Sequence, residues 1–180
     1  MGKHKEGFSL LARYTEMIKA CKKGFLAGCR KFIRVDGTHI KVVYKGMLLT
    51  TMGTDAQNHC VPLVYAIVNV ENMDNWSYFS NYLRGIIGDG SGSEYTFIAD
   101  KCKGVIAALR DVFPAATRRI CIVHYKRSYK KLYTSPILNM LLSRAANEYC
   151  EVNFHKFMES FKKESPAAYV WFQNEPTEHW

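Results

Sequence analysis

The feature that most constrains this chain is a change of hydrophobic period near residue 31. Upstream, "SLLARYTEMIKACKKGFLA" (residues 9–27) places Leu11, Tyr14, Ile18 and Cys21 three and four apart, which predicts a helix starting at Ser9. Downstream come short β-rich runs: "KFIRVD", then "KVVYKGMLLTTMGTD" around Gly46, then "CVPLVYAIVNV" at 60–70. Three such runs with tight connections predict an antiparallel meander. The segment "NMDNWSYFSNYLRGIIGDGSGS" opens on cap-type Asp74 and Asn75, spaces Trp76, Phe79, Leu83 and Ile87 helically, and stops in a Gly/Ser turn. "EYTFIAD" (94–100) predicts a fourth strand, "KGVIAALRDVFP" a second helix closed by Pro114, and "TRRICIVH" a fifth strand.

The order β-β-β-α-β-α-β builds a mixed five-stranded α/β sheet with helices on both faces, the arrangement of the ribonuclease H-like fold. After His124 the period is helical throughout, through "YKRSYKKLY", "SPILNMLLSRAANEYC", "VNFHKFMESFKKE" and "SPAAYVWFQ", with Pro136 and Pro166 at N1 positions. The expected organisation is a helical lead-in over 1–28, a core over 29–124 and an all-helical segment over 125–180. A chain of 180 residues has room for one domain and such an appendage. Its 25 Lys and Arg against 16 Asp and Glu leave a charge of +9, which favours a polyanionic partner. The cations crowd the start and the stretch holding Arg118, Arg119, Lys126, Arg127, Lys130 and Lys131; a solvated face explains either cluster as well as a phosphate track does. The six cysteines contain no C-x-x-C pair, and no apolar run approaches the ~20 residues of a membrane span, so a soluble intracellular protein with reduced thiols is expected.

Asp36 and Asp100 stand in equivalent positions, each where an apolar strand run ends, "FIRVD" and "TFIAD". In a sheet of this kind the first and fourth strands are neighbours, so the two carboxylates meet at one edge of the core. Adjacent anions disfavour one another's charge unless a cation lies between them, which makes divalent metal the natural complement. Taken singly, an Asp-Gly after a strand is a turn or cap as readily as a catalytic group; the matched context is what singles the pair out. Asp55 is open to either an accessory metal role or turn chemistry with Asn58. His39, three residues beyond Asp36, leaves its strand on the opposite side and reads as packing.

The segments "GCRKFIRVDGTHIKVVYKGMLLTTMGTDAQN", "VPLVYAIVNVENMDNWSYF", "FIADKCKGVIAALRDVFPAATRRICIVH" and "SPAAYVWF" together resemble the transposase domain of plant Mutator-like elements, from about Phe25 to the last residue. The resemblance implies a DDE transposase core that cleaves and rejoins DNA at element ends with Mg2+ or Mn2+, in the nucleus, with DNA as partner, a homo-oligomer as one form, and no membrane association. It implies that Asp36 in "VDGTH" and Asp100 in "IADKCKG" are the first two catalytic, metal-holding acids. Cys121 and His124 in "CIVH" match the family's C-x-x-H motif. Alone that pair is half a zinc site with no second pair at ligand spacing, so His124 is expected instead near the acidic edge, orienting a carboxylate, a water or a phosphate.

The family's third acid is a glutamate within a stretch like N-x-x-E-S-x-N, and no such stretch occurs in this sequence. Glu148, Glu151, Glu159 and Glu164 lie on helices with packing periodicity, and Glu175 and Glu178 flank Pro176; none has a recognisable catalytic context. The expectation is therefore an incomplete, inactive transposase core without its third acid and without a preceding DNA-binding region. The alternative is a domesticated or degenerate nuclear derivative that contacts DNA or protein without catalysis.

Overall fold

A computed structural model describes residues 22–41, 45–88, 90–176 and 179. Most of the helix expected over 9–27 lies outside the described residues; its end, 22–28, is helical. The elements that follow are β1 (Arg30–Ile40), β2 (Gly46–Thr54), β3 (Cys60–Val68), α1 (Met73–Ile87), β4 (Thr96–Ala99), α2 (Lys103–Val112), β5 (Thr117–Ile120), α3 (Ile122–Lys130), α4 (Pro136–Ala146), α5 (Glu151–Glu164) and α6 (Pro166–Gln173). The order is the one the hydrophobic period predicts.

The five strands form one sheet in the order β3-β2-β1-β4-β5. β1 and β2 pair antiparallel, as do β2 and β3, whereas β1 and β4 run parallel. A meander whose first strand turns its free edge to a parallel partner is the ribonuclease H-like arrangement. The parallel contact follows from the intervening α1, because parallel neighbours need a crossover.

The chain divides between Arg118 and Arg119 into two compact units. In the first, one face of the sheet is the core: Ile33 and Val35 of β1 and Phe97 and Ala99 of β4 pack with Trp76, Phe79, Leu83 and Ile87 of α1 and Val105, Ala108, Leu109 and Val112 of α2. Both helices of this unit thus cover the same face; among the described residues of this unit the second face carries Arg34, Asp36, Thr50, Ile98 and Asp100, none of them buried. Two glycines permit this packing. A Cβ at Gly104 would lie 3.3 Å from Trp76 Cδ1 and from the Met73 backbone nitrogen, so α2 approaches α1 only because that position lacks a side chain. At Gly37 a Cβ would meet Trp76 Cζ2 at 3.2 Å and Met47 Cε at 3.3 Å. The indole lies over the strand there and donates from Nε1 to Glu71 Oε1 at 3.2 Å.

α1 is capped two residues before Asp74: Asn72, not Asp74 or Asn75, is the N-cap, and its side chain accepts from the Asn75 nitrogen at 2.9 Å. β5 is also shorter than "TRRICIVH". It ends at Ile120, and Cys121 is the N-cap of α3.

The second unit has its own core. Tyr125 and Tyr129 of α3, Leu138, Leu142 and Ala145 of α4, Met158 and Phe161 of α5, and Ala168 and Phe172 of α6 are its buried members. Ser135 and Ser165 cap α4 and α6, accepting from the Leu138 and Ala168 nitrogens, with Pro136 and Pro166 at the first turn as the sequence predicts. No helix of the described residues is long and apolar enough to cross a membrane.

Candidate functional site: two carboxylates on neighbouring parallel strands

Asp36 does not end its strand. β1 continues to Ile40, and Asp36, Gly37 and Thr38 pair with Thr50, Leu49 and Leu48 of β2. What ends at Asp36 is the parallel pairing with β4, whose last partners are Val35 and Ala99. The Asp-Gly dipeptide is therefore in-strand chemistry and not a turn.

The register brings the two aspartates together. Asp36 and Asp100 each follow a member of the last parallel pair by one residue, so they occupy matched positions on strands that neighbour at about 4.8 Å. Val35 and Ala99 point into the core, and alternation turns both carboxylates to the opposite face. Asp36 is exposed there and Asp100 is half-buried.

Local hydrogen bonds orient both groups. Asp36 Oδ1 accepts from the Gly37 nitrogen at 2.9 Å, and Asp100 Oδ1 accepts from the Lys101 nitrogen at 2.6 Å. Across the β1–β2 ladder, Thr50 stands opposite Asp36 and its hydroxyl donates to the Asp36 carbonyl at 3.3 Å. Thr50 was not legible as a neighbour of the site in the sequence; the signal was the β1–β2 register, which needs the turn between the strands. Lys101 was adjacent to Asp100 in the sequence and contributes through its backbone, which residue type does not reveal.

The donor set is two hard carboxylate oxygens, the chemistry that suits Mg2+ or Mn2+, and Mg2+ characteristically takes one or two carboxylates and completes its shell with water and substrate phosphate. Among the described residues no group of three or more His, Cys, Asp and Glu gathers at metal-holding distance. By donor chemistry, the two aspartates fit an oxygen-liganded divalent ion.

The other candidates have surroundings of their own. Asp55 closes the β2–β3 loop: its Oδ1 accepts from the Gln57 and His59 nitrogens at 2.9 and 2.7 Å, and Oδ2 lies 3.0 Å from His59 Nδ1. Desolvation alone would raise its pKa, but the backbone and side-chain hydrogen bonds and the charge of His59, with the Gln57 amide, together hold it below the ordinary value. With Asn58 at a φ of 69°, this is turn chemistry. His39 is exposed near the end of β1. Cys121 and His124 belong to the second unit, at the start of α3 and not on a strand; both are half-buried, and the His124 Nδ1 atom is fully enclosed. Of the glutamates, Glu151, Glu159 and Glu164 are exposed along α5, Glu148 accepts from the Tyr149 and Cys150 nitrogens ahead of it, and Glu175 is buried against His179 Nδ1 at 2.9 Å. Glu178 lies outside the described residues.

Fold and site together describe a ribonuclease H-like domain with an acidic pair where the parallel pairing of its central strands ends. The MULE transposase domain family matches residues 32–128, more than half of the sequence, and the chain belongs to that family. Among solved structures it is similar to one described as "Structure of Mos1 transposase catalytic domain and Raltegravir with Mn", at 14% identity over 93% of this chain and 86% of that chain, with a TM-score of 0.38. No curated protein matches the sequence.

Proposed function

We propose that this domain is a Mutator-like transposase core in which Asp36 and Asp100 hold a divalent metal against a DNA phosphodiester. The observation that carries this is the register: Val35 pairs with Ala99, so two aspartates follow side by side, turned away from the core, where the parallel pairing of β1 and β4 ends. When bound, a divalent ion supplies Lewis-acid charge that lowers the pKa of an attacking water or hydroxyl and stabilises the leaving oxygen. The chain's own part is positional. The Gly37 and Lys101 amides fix one oxygen of each carboxylate, and Trp76 beneath Gly37 keeps β1 from shifting.

A two-carboxylate site leaves a two-metal mechanism short of a protein ligand, so cleavage by this chain is slow or nil while metal binding persists. Cys121 and His124 enter this proposal as accessory residues, with His124 orienting a carboxylate, a water or a phosphate. The partner is DNA at element ends, the compartment is the nucleus, and self-association is compatible with the same activity.

The experiment is Mn2+ binding by calorimetry, run beside nicking of supercoiled plasmid by the full chain. Wild type is expected to bind Mn2+, and Asp36→Asn and Asp100→Asn each to lose that binding together with any nicking. Equal Mn2+ affinity in wild type and both variants would sink the assignment. A second reading, a non-catalytic DNA-contacting derivative, is favoured by the absence of a third carboxylate at the pair among the described residues. Metal binding without any nicking selects it.

A further inference from the structure

Residues 112–147 contain seven Lys and Arg and no Asp or Glu, in a chain whose total charge is +9. Four of the seven, Lys126, Arg127, Lys130 and Lys131, lie on or directly after α3. Lys131 keeps helical backbone angles (φ −68°, ψ −26°) and so extends the same face.

The aromatic core decides where these cations point. Tyr125 and Tyr129 are buried four residues apart; Tyr125 stacks on Trp171 with ring centroids 5.1 Å apart, and Tyr129 on Tyr133 at 5.1 Å. With that stripe turned inward, Arg127, Lys130 and Lys131 are exposed, and Lys126 sits at the boundary, donating to the Ser143 hydroxyl at 3.3 Å. Among the described residues none of the four has a carboxylate partner. Burial, and after it the charge of Lys130, hold the Lys126 ammonium below its usual pKa. The helix dipole offers only about half a negative charge at this end, against four positive ones.

A solvated face looks different in this same unit. Along α5, Lys156, Lys162 and Lys163 are matched by Glu151, Glu159 and Glu164. Such a face carries no net charge.

We propose that the outward face of α3, formed by Lys126, Arg127, Lys130 and Lys131, binds the phosphate backbone of duplex DNA; this rests on the transposase reading above and names the surface that grips the substrate. The choice of duplex follows from charge density. Five residues of helical rise span about 7.5 Å, so four cations give one charge per roughly 1.9 Å of axis. Duplex DNA carries one negative charge per about 1.7 Å, a single strand only one per about 3.4 Å. The face carries no sequence-reading geometry of its own, so its contribution is uniform across sequences.

The test is fluorescence anisotropy of a short labelled duplex of arbitrary sequence with the full chain, from about 50 to 200 mM KCl. The variant is Arg127→Gln/Lys130→Gln/Lys131→Gln, which alters only exposed side chains and spares Lys126. The control is Lys23→Gln/Lys156→Gln/Lys163→Gln, with the same net charge. At about 0.9 of log–log salt slope per phosphate contact, the α3 variant's slope is expected to shrink by about 2.7, so over a fourfold rise in salt it loses about 40-fold less affinity than wild type. The control should keep most of the wild-type slope. An unchanged slope in the α3 variant, or an equal loss in the control, overturns the proposal; so does tighter α3-dependent binding of an RNA hairpin, or equal competition by polyglutamate. The titration is run in EDTA, so the slope is read without metal at the Asp36–Asp100 pair. Failure of the metal-binding test therefore leaves this surface standing, and failure here leaves the metal site standing.

Discussion

Replacing Asp36 by Asn should stabilise the metal-free fold while abolishing its response to metal. The register places Asp36 and Asp100 on strands about 4.8 Å apart, with both side chains on one sheet face. At about 5 Å, two like charges repel by about 0.8 kcal/mol in bulk water and about 3 kcal/mol at an effective dielectric of 20. Asp36 is exposed, so the lower end applies, on the order of 1 kcal/mol. Asn is nearly isosteric, and its carbonyl can keep the 2.9 Å bond from the Gly37 nitrogen. In EDTA at low salt the melting temperature should rise by about 2–4 °C for a chain of this size. The gain should shrink as salt screens the pair. Adding Mn2+ reverses the ranking: at about one hundred times its Kd, an ion that binds only the native state stabilises wild type by about 2.7 kcal/mol. The assay is differential scanning calorimetry of both proteins with EDTA and across a Mn2+ titration. A lower melting temperature for Asp36→Asn in EDTA, or equal stabilisation of both proteins by Mn2+, would refute the side-by-side carboxylate geometry.

Gly37→Ala inserts a Cβ 3.2 Å from Trp76 Cζ2 and 3.3 Å from Met47 Cε, and should cost about 1–3 kcal/mol in urea unfolding, with weakened metal response because the strand shifts beside Asp36. Ser165→Ala removes the acceptor for the Ala168 nitrogen at the start of α6, and should cost about 1 kcal/mol, read as an earlier loss of helical circular dichroism. Stability should fall at both ends of the pH range. Asp55 is held below its usual value of 3.8, so its stabilisation is present above that pH and is lost as the pH drops through the lowered value; Asp55→Asn should blunt this acid limb. Tyr95, Tyr125 and Tyr129 are pushed up to about 12 from 10.0, chiefly by burial, so the folded state's preference for the neutral phenols is felt as the pH rises from 10 toward 12. Ultraviolet titration of phenolate absorbance against unfolding should show these three ionising with loss of structure.

Much of the fold was legible because burial writes a period into sequence. "KFIRV" and "TFIA" are apolar at the positions that face the core, and Trp76, Phe79, Leu83 and Ile87 repeat at helical spacing, so element order could be read directly. Boundaries were less legible. A strand and the first turn of a helix both accept "CIVH", and the competition is settled by the Tyr125 and Tyr129 faces that must join a separate core. Asn72 took the cap from Asp74 because capping depends on backbone angles and not on residue type alone.

The aspartates divide the same way. By itself the sequence determined that two carboxylates each follow an apolar strand run, that a helix-bearing crossover separates them, and that a basic segment free of acids lies beyond. Only the tertiary structure decided that Val35 pairs with Ala99, that β1 runs on past Asp36 under Trp76, and that Asp55 is consumed by its own loop. The physical reason is range. Hydrophobic period and turn chemistry act between residues a few positions apart, whereas register joins Asp36 to Asp100 through packing contributed by α1 and α2, which no local pattern encodes.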